Sequence, residues 1–255
     1  MNTIVKKVAD NLMAKGLNDT SISIADEYSI DQEVSTINCI DSTAKSYVSQ
    51  YNVHGYGNSQ RQILRNIAKQ DGKRLWMSEY GLPTTSNMFA SITLSEQILN
   101  DMRILKNNAW IYLQAIQDDP NGSNGWGLIG VSYTNSSVPP KIYLDFYAFK
   151  QYTKFIRPGY QIISSDNNDT LAAYSAKDQK LVIVCTNKGP AQLWKFNVTM
   201  FNISNISNIT AFRTSNNETF TPLSNIQPMH YGILVYLHPS DSITTWVFDA
   251  IPRDG

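Results

Sequence analysis

What this sequence lacks narrows its class. No apolar run approaches the roughly 18 residues that a membrane-crossing helix needs, so no membrane span is expected. Neither sign of charge dominates. The 21 lysines and arginines match 21 aspartates and glutamates, with no basic block, which gives no electrostatic reason to expect nucleic acid or an anionic membrane as a partner. Cysteine is scarce, and Cys39 and Cys185 lie far apart in unlike segments, so they read as two buried free thiols rather than a disulfide. Metal-ligand spacing, a glycine-rich phosphate loop and a Ser/His/Asp order are all missing, so no metal site is expected. The opening residues, MNTIVKKVADNLMAKG, are unlike the continuous apolar stretch of a signal peptide. They read as an amphipathic helix with Ile4, Val5, Val8 and Leu12 on one side and Gly16 as its stop.

Asparagine, by contrast, is abundant. Asn-x-Ser/Thr sequons occur at Asn18, Asn121, Asn135, Asn168, Asn197, Asn202, Asn205, Asn208 and Asn217, where the composition gives roughly four by chance. The excess points to a glycoprotein of the secretory pathway or extracellular space, although asparagine richness alone produces sequons.

The pattern changes near Arg157-Pro158-Gly159. Before it, short apolar runs at residues 21–25, 51–55, 74–78 and 109–114 alternate with helical stretches at 30–49, 59–71, 91–106 and 142–156, the signature of βα units and a parallel sheet. After it the helical period vanishes. Short strands at 181–186, 193–198, 231–237 and 244–248, separated by Asn, Ser, Gly and Pro, suggest an antiparallel sandwich. Two domains are expected, 1–157 and 158–255, with the NISNISNIT tract as loop and strand edge. A complete (β/α)₈ barrel needs at least roughly 200 residues. Four strands before residue 158 therefore fit either an open sheet or half a barrel.

In parallel α/β folds, chemistry gathers at the carboxyl ends of the strands. Those ends carry Asp26 and Glu27, His54 and Tyr56, Glu79 and Tyr80, then Gln114 and Gln117. Carboxylates, aromatics and amides together suit a sugar, whose ring faces stack while its hydroxyls need donors and acceptors. Each residue has a structural alternative. Asp26 or Glu27 would also suit a helix start, His54 a hydrogen-bonded structural role, and Trp76 the sheet core. Trp110 fits either core or sugar platform.

The runs VHGYG (53–57), LWMSEYG (75–81), NAWIYLQAI (108–116) and YAFKQYTKFIRPGYQII (147–163) together resemble glycoside hydrolase family 30, nearest its endo-β-1,6-galactanase-like branch. The resemblance implies a retaining hydrolase of β-linked polysaccharide, first choice β-1,6-galactan. It also implies a (β/α)₈ TIM barrel followed by an antiparallel β-sandwich, of which this chain holds barrel strands five to eight. Glu79, in the Trp-Met-Ser-Glu-Tyr-Gly motif, takes the place of the nucleophile, and His54, Tyr56, Tyr80, Trp110 and Gln114 would bind substrate. No cofactor is implied. The acid/base of the family, in an Asn-Glu pair ending strand four, has no counterpart among the four strands. The implied partners are the poly- or oligosaccharide substrate and the N-terminal half of the barrel. A carbohydrate-binding pseudoenzyme or an inactive fragment fits the same residues. For a secreted product, some of Asn197, Asn202, Asn205 and Asn208 should carry glycans, so protein from its native source should migrate faster on a gel after glycosidase treatment.

Overall fold

The computed structural model describes residues 1–57, 59–85, 87–122, 125–203, 209–224, 226 and 229–253. The chain divides into two compact units, one of Met1–Gly81 with Asn100–Leu113 and one of Leu82–Leu99 with Gln114–Gly255.

The first unit is built on a parallel sheet. In chain order it contains α1 (Asn2–Ala14), β1 (Ile22–Glu27), α2 (Ile30–Asn38), α3 (Ser42–Tyr47), β2 (Val48–His54), α4 (Arg61–Gln70) and β3 (Arg74–Tyr80), then a π-helical turn at Asp101–Leu105 and β4 (Ala109–Tyr112). The strands run β1-β2-β3-β4, all parallel. Because side chains alternate along a strand, Ile24, Tyr51, Val53, Leu75 and Met77 bury one face against Ile30, Val34, Ile37, Leu64 and Ala68 of the helices. The opposite face is polar. There Gln50 donates to Asn52 at 2.7 Å and Asn52 to Ser23 at 3.3 Å, with Trp76 half-buried beside Asn52 in register.

The single helix expected over 30–49 is two. Ser29 caps α2 by accepting from the Gln32 N–H, and Asp41 caps α3 by accepting from the Ala44 N–H. The second cap restarts the helix after Cys39, and the chain is already extended at Val48. The expected apolar stripe of α1 is also narrower. Val5 and Ala9 are buried, while Ile4 and Val8 are exposed. Cys39 is exposed rather than buried, whereas Cys185 is buried, and both are free.

The second unit holds α5 (Met88–Asn100), a small sheet of β5 (Ile116–Asp118), β6 (Ile129–Val131) and β7 (Lys141–Ile142), and α6 (Leu144–Thr153). Among the described residues, nine further strands come after α6: β8 (Gln161–Ile163), β9 (Thr170–Ser175), β10 (Lys180–Asn187), β11 (Gln192–Asn197), β12 (Phe201–Ile203), β13 (Thr210–Ser215), β14 (Glu218–Pro222), β15 (Ile233–His238) and β16 (Ser242–Pro252). An antiparallel sheet runs β14-β13-β16-β10-β9-β8, with β12 also on β16, and β11 pairs with β15. Trp194, Phe196 and Leu234 of that pair share one core with Leu181, Ile183, Trp246 and Phe248 of the larger sheet. The sequons at Asn205 and Asn208 lie outside the described residues.

Buried polar contacts tie α5 and α6 to these strands. The Ser95 hydroxyl lies 2.6 Å from both Tyr152 and Thr186, Gln151 donates to Thr214 at 2.8 Å, and Thr245 donates to Gln151 at 2.6 Å. Compactness therefore groups residues 114–157 with the strand-rich region, although the periodicity changes at Arg157.

In the first unit the π-helical turn supplies a fully buried carboxylate, Asp101. Arg61 Nε of α4 and the Trp110 indole N–H of β4 each donate to it at 2.8 Å. Asp101→Ala removes the acceptor of both, and breaking a buried ion pair costs about 3–5 kcal/mol. The variant should lose that much in chemical denaturation and show altered tryptophan emission; a loss below about 1 kcal/mol would contradict the assignment.

Candidate active site

The candidate side chains stand where three adjacent strands stop pairing regularly. Ala25 pairs with Asn52 and Glu27 with Val53, so Asp26 is an extra residue on β1, with φ at 66°. Val53 pairs with Met77 and His54 with Glu79, so Ser78 is an extra residue on β3. Such bulges re-aim side chains at strand ends. Here they set His54 and Glu79 side by side, with the Gly55 N–H donating to the Glu79 carbonyl at 2.8 Å.

Around Glu79 the polar atoms converge. His54 Nδ1 lies 3.4 Å from Glu79 Oε1, and its Nε2 lies 3.6 Å from Asp26 Oδ1. The Tyr56 hydroxyl donates to the same Glu79 oxygen at 3.2 Å. Burial, together with the negative charge of Glu79, pushes the Tyr56 phenol up to about 12, so it remains a donor throughout the neutral range. The Ser78 hydroxyl donates to Asp26, with the Val53 carbonyl 3.1 Å away. Tyr56 stacks on Tyr28, centroids 4.9 Å apart, and on Tyr80, 5.7 Å apart. Gly57 lies close against Ser29, where a Cβ would meet the Ser29 Cβ at 2.8 Å.

The other residues expected at this site make the following contacts. Trp110 pairs with Met77, packs partly buried against the core and donates its indole N–H to Asp101. Tyr80 is 5.9 Å from Trp110, and burial raises its phenol with Asp101 adding to the effect. Gln114 belongs to the second unit, where its carbonyl accepts from the Leu128 N–H. Glu27 turns to α2 and accepts from Thr36 at 2.7 Å. Neither Asp26 nor Glu27 caps α2, since Ser29 does.

One residue of the rim gives no signal in the sequence. Glu33 of α2 is fully buried, and its two oxygens accept from the Ala25 N–H at 3.1 Å and the Glu27 N–H at 3.2 Å, on either side of the bulge. Desolvation raises its carboxyl to about 7 in spite of those two bonds, with Glu27 and Asp26 adding repulsion. By linear position it is only an acidic residue in the first turn of a helix.

No family model matches the sequence. An endo-β-1,6-galactanase of Hypocrea rufa is 36% identical over 204 residues, covering 78% of this chain and 40% of that protein. Among solved structures, a GH30 endoxylanase of Clostridium papyrosolvens C71 superposes with a TM-score of 0.69 at 25% identity, covering 91% of this chain and 57% of that one. The chain is related to glycoside hydrolase family 30. A glucuronoxylanase of Bacillus subtilis (strain 168) extends the relationship at 28% identity, over 76% of this chain and 44% of its own. The chain thus spans about half, or less, of the length of its family 30 relatives.

The raised Glu33 carboxyl sets a pH dependence. The folded state holds this proton up to about pH 7 and the unfolded state only to 4.5. Between those values the folded form binds more protons, so the Glu33 contribution falls as pH rises, by about 3 kcal/mol across the window. In denaturation at a series of pH values, the stability of the native sequence relative to Glu33→Gln should decline by that amount from pH 4.5 to 7. Parallel curves would contradict it.

Proposed function

We propose that this chain carries the nucleophile side of a retaining β-glycoside hydrolase, with Glu79 as the nucleophile. The observation behind this reading is the convergence of the Tyr56 hydroxyl and His54 on one oxygen of Glu79 at a parallel-sheet rim. Glu79 attacks the anomeric carbon and expels the leaving oxygen, and the glycosyl-enzyme is then opened by water. Tyr56 and His54 hold the carboxylate for in-line attack and meet the hydroxyls of the sugar bound there. In this reading the four-stranded sheet is barrel strands five to eight, its edge strands β1 and β4 pair with the N-terminal half, and the antiparallel sheets form the sandwich. The product is secreted.

Retention requires a second carboxyl about 5 Å from the first, to protonate the leaving oxygen and then activate water. Asn217-Glu218, the Asn-Glu pair of this sequence, is unsuited to that task. Arg213 grips both Glu218 oxygens at 2.6 Å and holds its carboxyl below the usual range, the reverse of what a general acid needs. We assign the acid to the part of the full-length enzyme that precedes these strands. A β-1,6-galactan is the first choice of substrate, following the 36% identity to an endo-β-1,6-galactanase.

In the full-length protein, Glu79→Gln should lower kcat by about 10⁴ or more, with saccharide affinity changing far less. A mechanism-based fluorosugar should label Glu79. Unchanged turnover in the variant, or a label on another carboxylate, would defeat the assignment. Saccharide binding without turnover in the native sequence would instead identify a carbohydrate-binding pseudoenzyme.

A further inference from the structure

Strands β11 and β15 form the outermost layer of the second unit. One face of the larger sheet meets α5 and α6 through Thr186, Thr214 and Thr245. Its other face shares a core with Trp194, Phe196 and Leu234 of the β11–β15 pair. Side chains alternate along a strand, so the residues between these inward ones face away from the core. Paired in register, they are Leu193 with Leu237, Lys195 with Val235, and Asn197 with Ile233. Leu193 is 71% exposed, Leu237 55% and Val235 47%. The fold therefore leaves an apolar strip in water on its outer side.

Asn197 stands at one end of this strip and opens the sequon Asn197-Val198-Thr199. Its carboxamide oxygen accepts from the Thr199 N–H at 3.1 Å and from the Thr199 hydroxyl at 2.7 Å. A turn of this kind spans two residues and forms without the rest of the fold. Val198 is buried and Asn197 exposed, so the acceptor stays outside when the core closes.

We propose that Asn197 is an N-glycosylation site whose glycan covers the strip. The donor is an oligosaccharide carried on a lipid pyrophosphate. Asn197 Nδ2 forms a bond to the anomeric carbon, the bond from that carbon to the phosphate oxygen breaks, and the lipid pyrophosphate leaves with its electron pair. The amide proton passes to a base of the transferring enzyme. The first sugar then lies opposite Ile233, and Val235 follows one side-chain repeat along, about 7 Å away. Sugar C–H faces pack on these side chains while the hydroxyls remain in water. Lys195 favours this cover over a protein partner. It sits in the middle of the strip, opposite Val235, where a dry interface would have to desolvate its ammonium and a hydrated glycan would not. The encounter with the donor rests on the secreted reading and is independent of Glu79.

Occupancy is read on the full-length protein from its native source. Peptide N-glycosidase in heavy-oxygen water turns each glycosylated asparagine into a labelled aspartate, which mass spectrometry locates. Position 197 should carry the label. Labels at other sequons alone would overturn the inference and keep the secreted reading, whereas no label anywhere would remove both. The cover is tested with Asn197→Gln, Thr199→Ala and Thr199→Ser made in the same host, by binding of a dye that reports exposed apolar surface. The first two destroy the sequon and should bind about twofold more dye or above, while Thr199→Ser keeps the sequon and should match the native sequence. Adding Leu193→Ser and Val235→Ser to Asn197→Gln should return dye binding to the native level. Equal dye binding with and without the glycan would overturn the cover, as would an excess that survives those two replacements.

Discussion

Two backbone N–H groups, those of Ala25 and Glu27, point into the buried carboxylate of Glu33, and the rim of the parallel sheet depends on that arrangement. A buried donor without an acceptor costs as much as a lost hydrogen bond, and β1 stops its regular pairing at these residues. By supplying both acceptors from one side chain, α2 fixes the irregular turn that presents Asp26 outward. Asp26 then receives the Ser78 hydroxyl from β3 and faces His54 on β2, so one anchor on a helix orders side chains from three strands. The carboxyl is held near neutrality by burial. The same group that shapes the rim thus carries a pH dependence of its own.

The second unit is joined by a different device. Its sheets bury an aromatic and aliphatic core around Trp246 and Phe248, while the helices meet the strands through hydroxyls and an amide that satisfy one another: Ser95, Tyr152, Thr186, Gln151, Thr214 and Thr245. Polar groups buried in pairs specify a partner more narrowly than apolar packing does, because a misplaced neighbour leaves them unbonded. This explains how α6 can belong with strands whose sequence pattern has nothing helical in it.

The four parallel strands are legible in the sequence because each is a short apolar run with a helical stretch after it, and their ends carry the polar residues. The strand-end rule accounts for His54, Tyr56 and Glu79 standing close together. It does not account for the face on which Trp110 lies, which depends on register with Met77 and on an acceptor, Asp101, that appears only as an acidic residue near the end of a helical stretch. Glu33 is hidden for a similar reason: nothing in its neighbours says that a charged residue in a first helical turn is buried. Strands β5, β6, β7, β8 and β12 are two or three residues long, too short for an alternation to register.

The bulges at Asp26 and Ser78 make this rim sensitive to length in a way it is not to side-chain identity. Each adds a single residue to one strand and none to its neighbour, and in a strand one residue is half of the side-chain repeat. Deleting Ser78 would leave Met77 opposite Val53 and Glu79 opposite His54 but abolish the bulge between them, and with it the Ser78 hydroxyl that Asp26 accepts from.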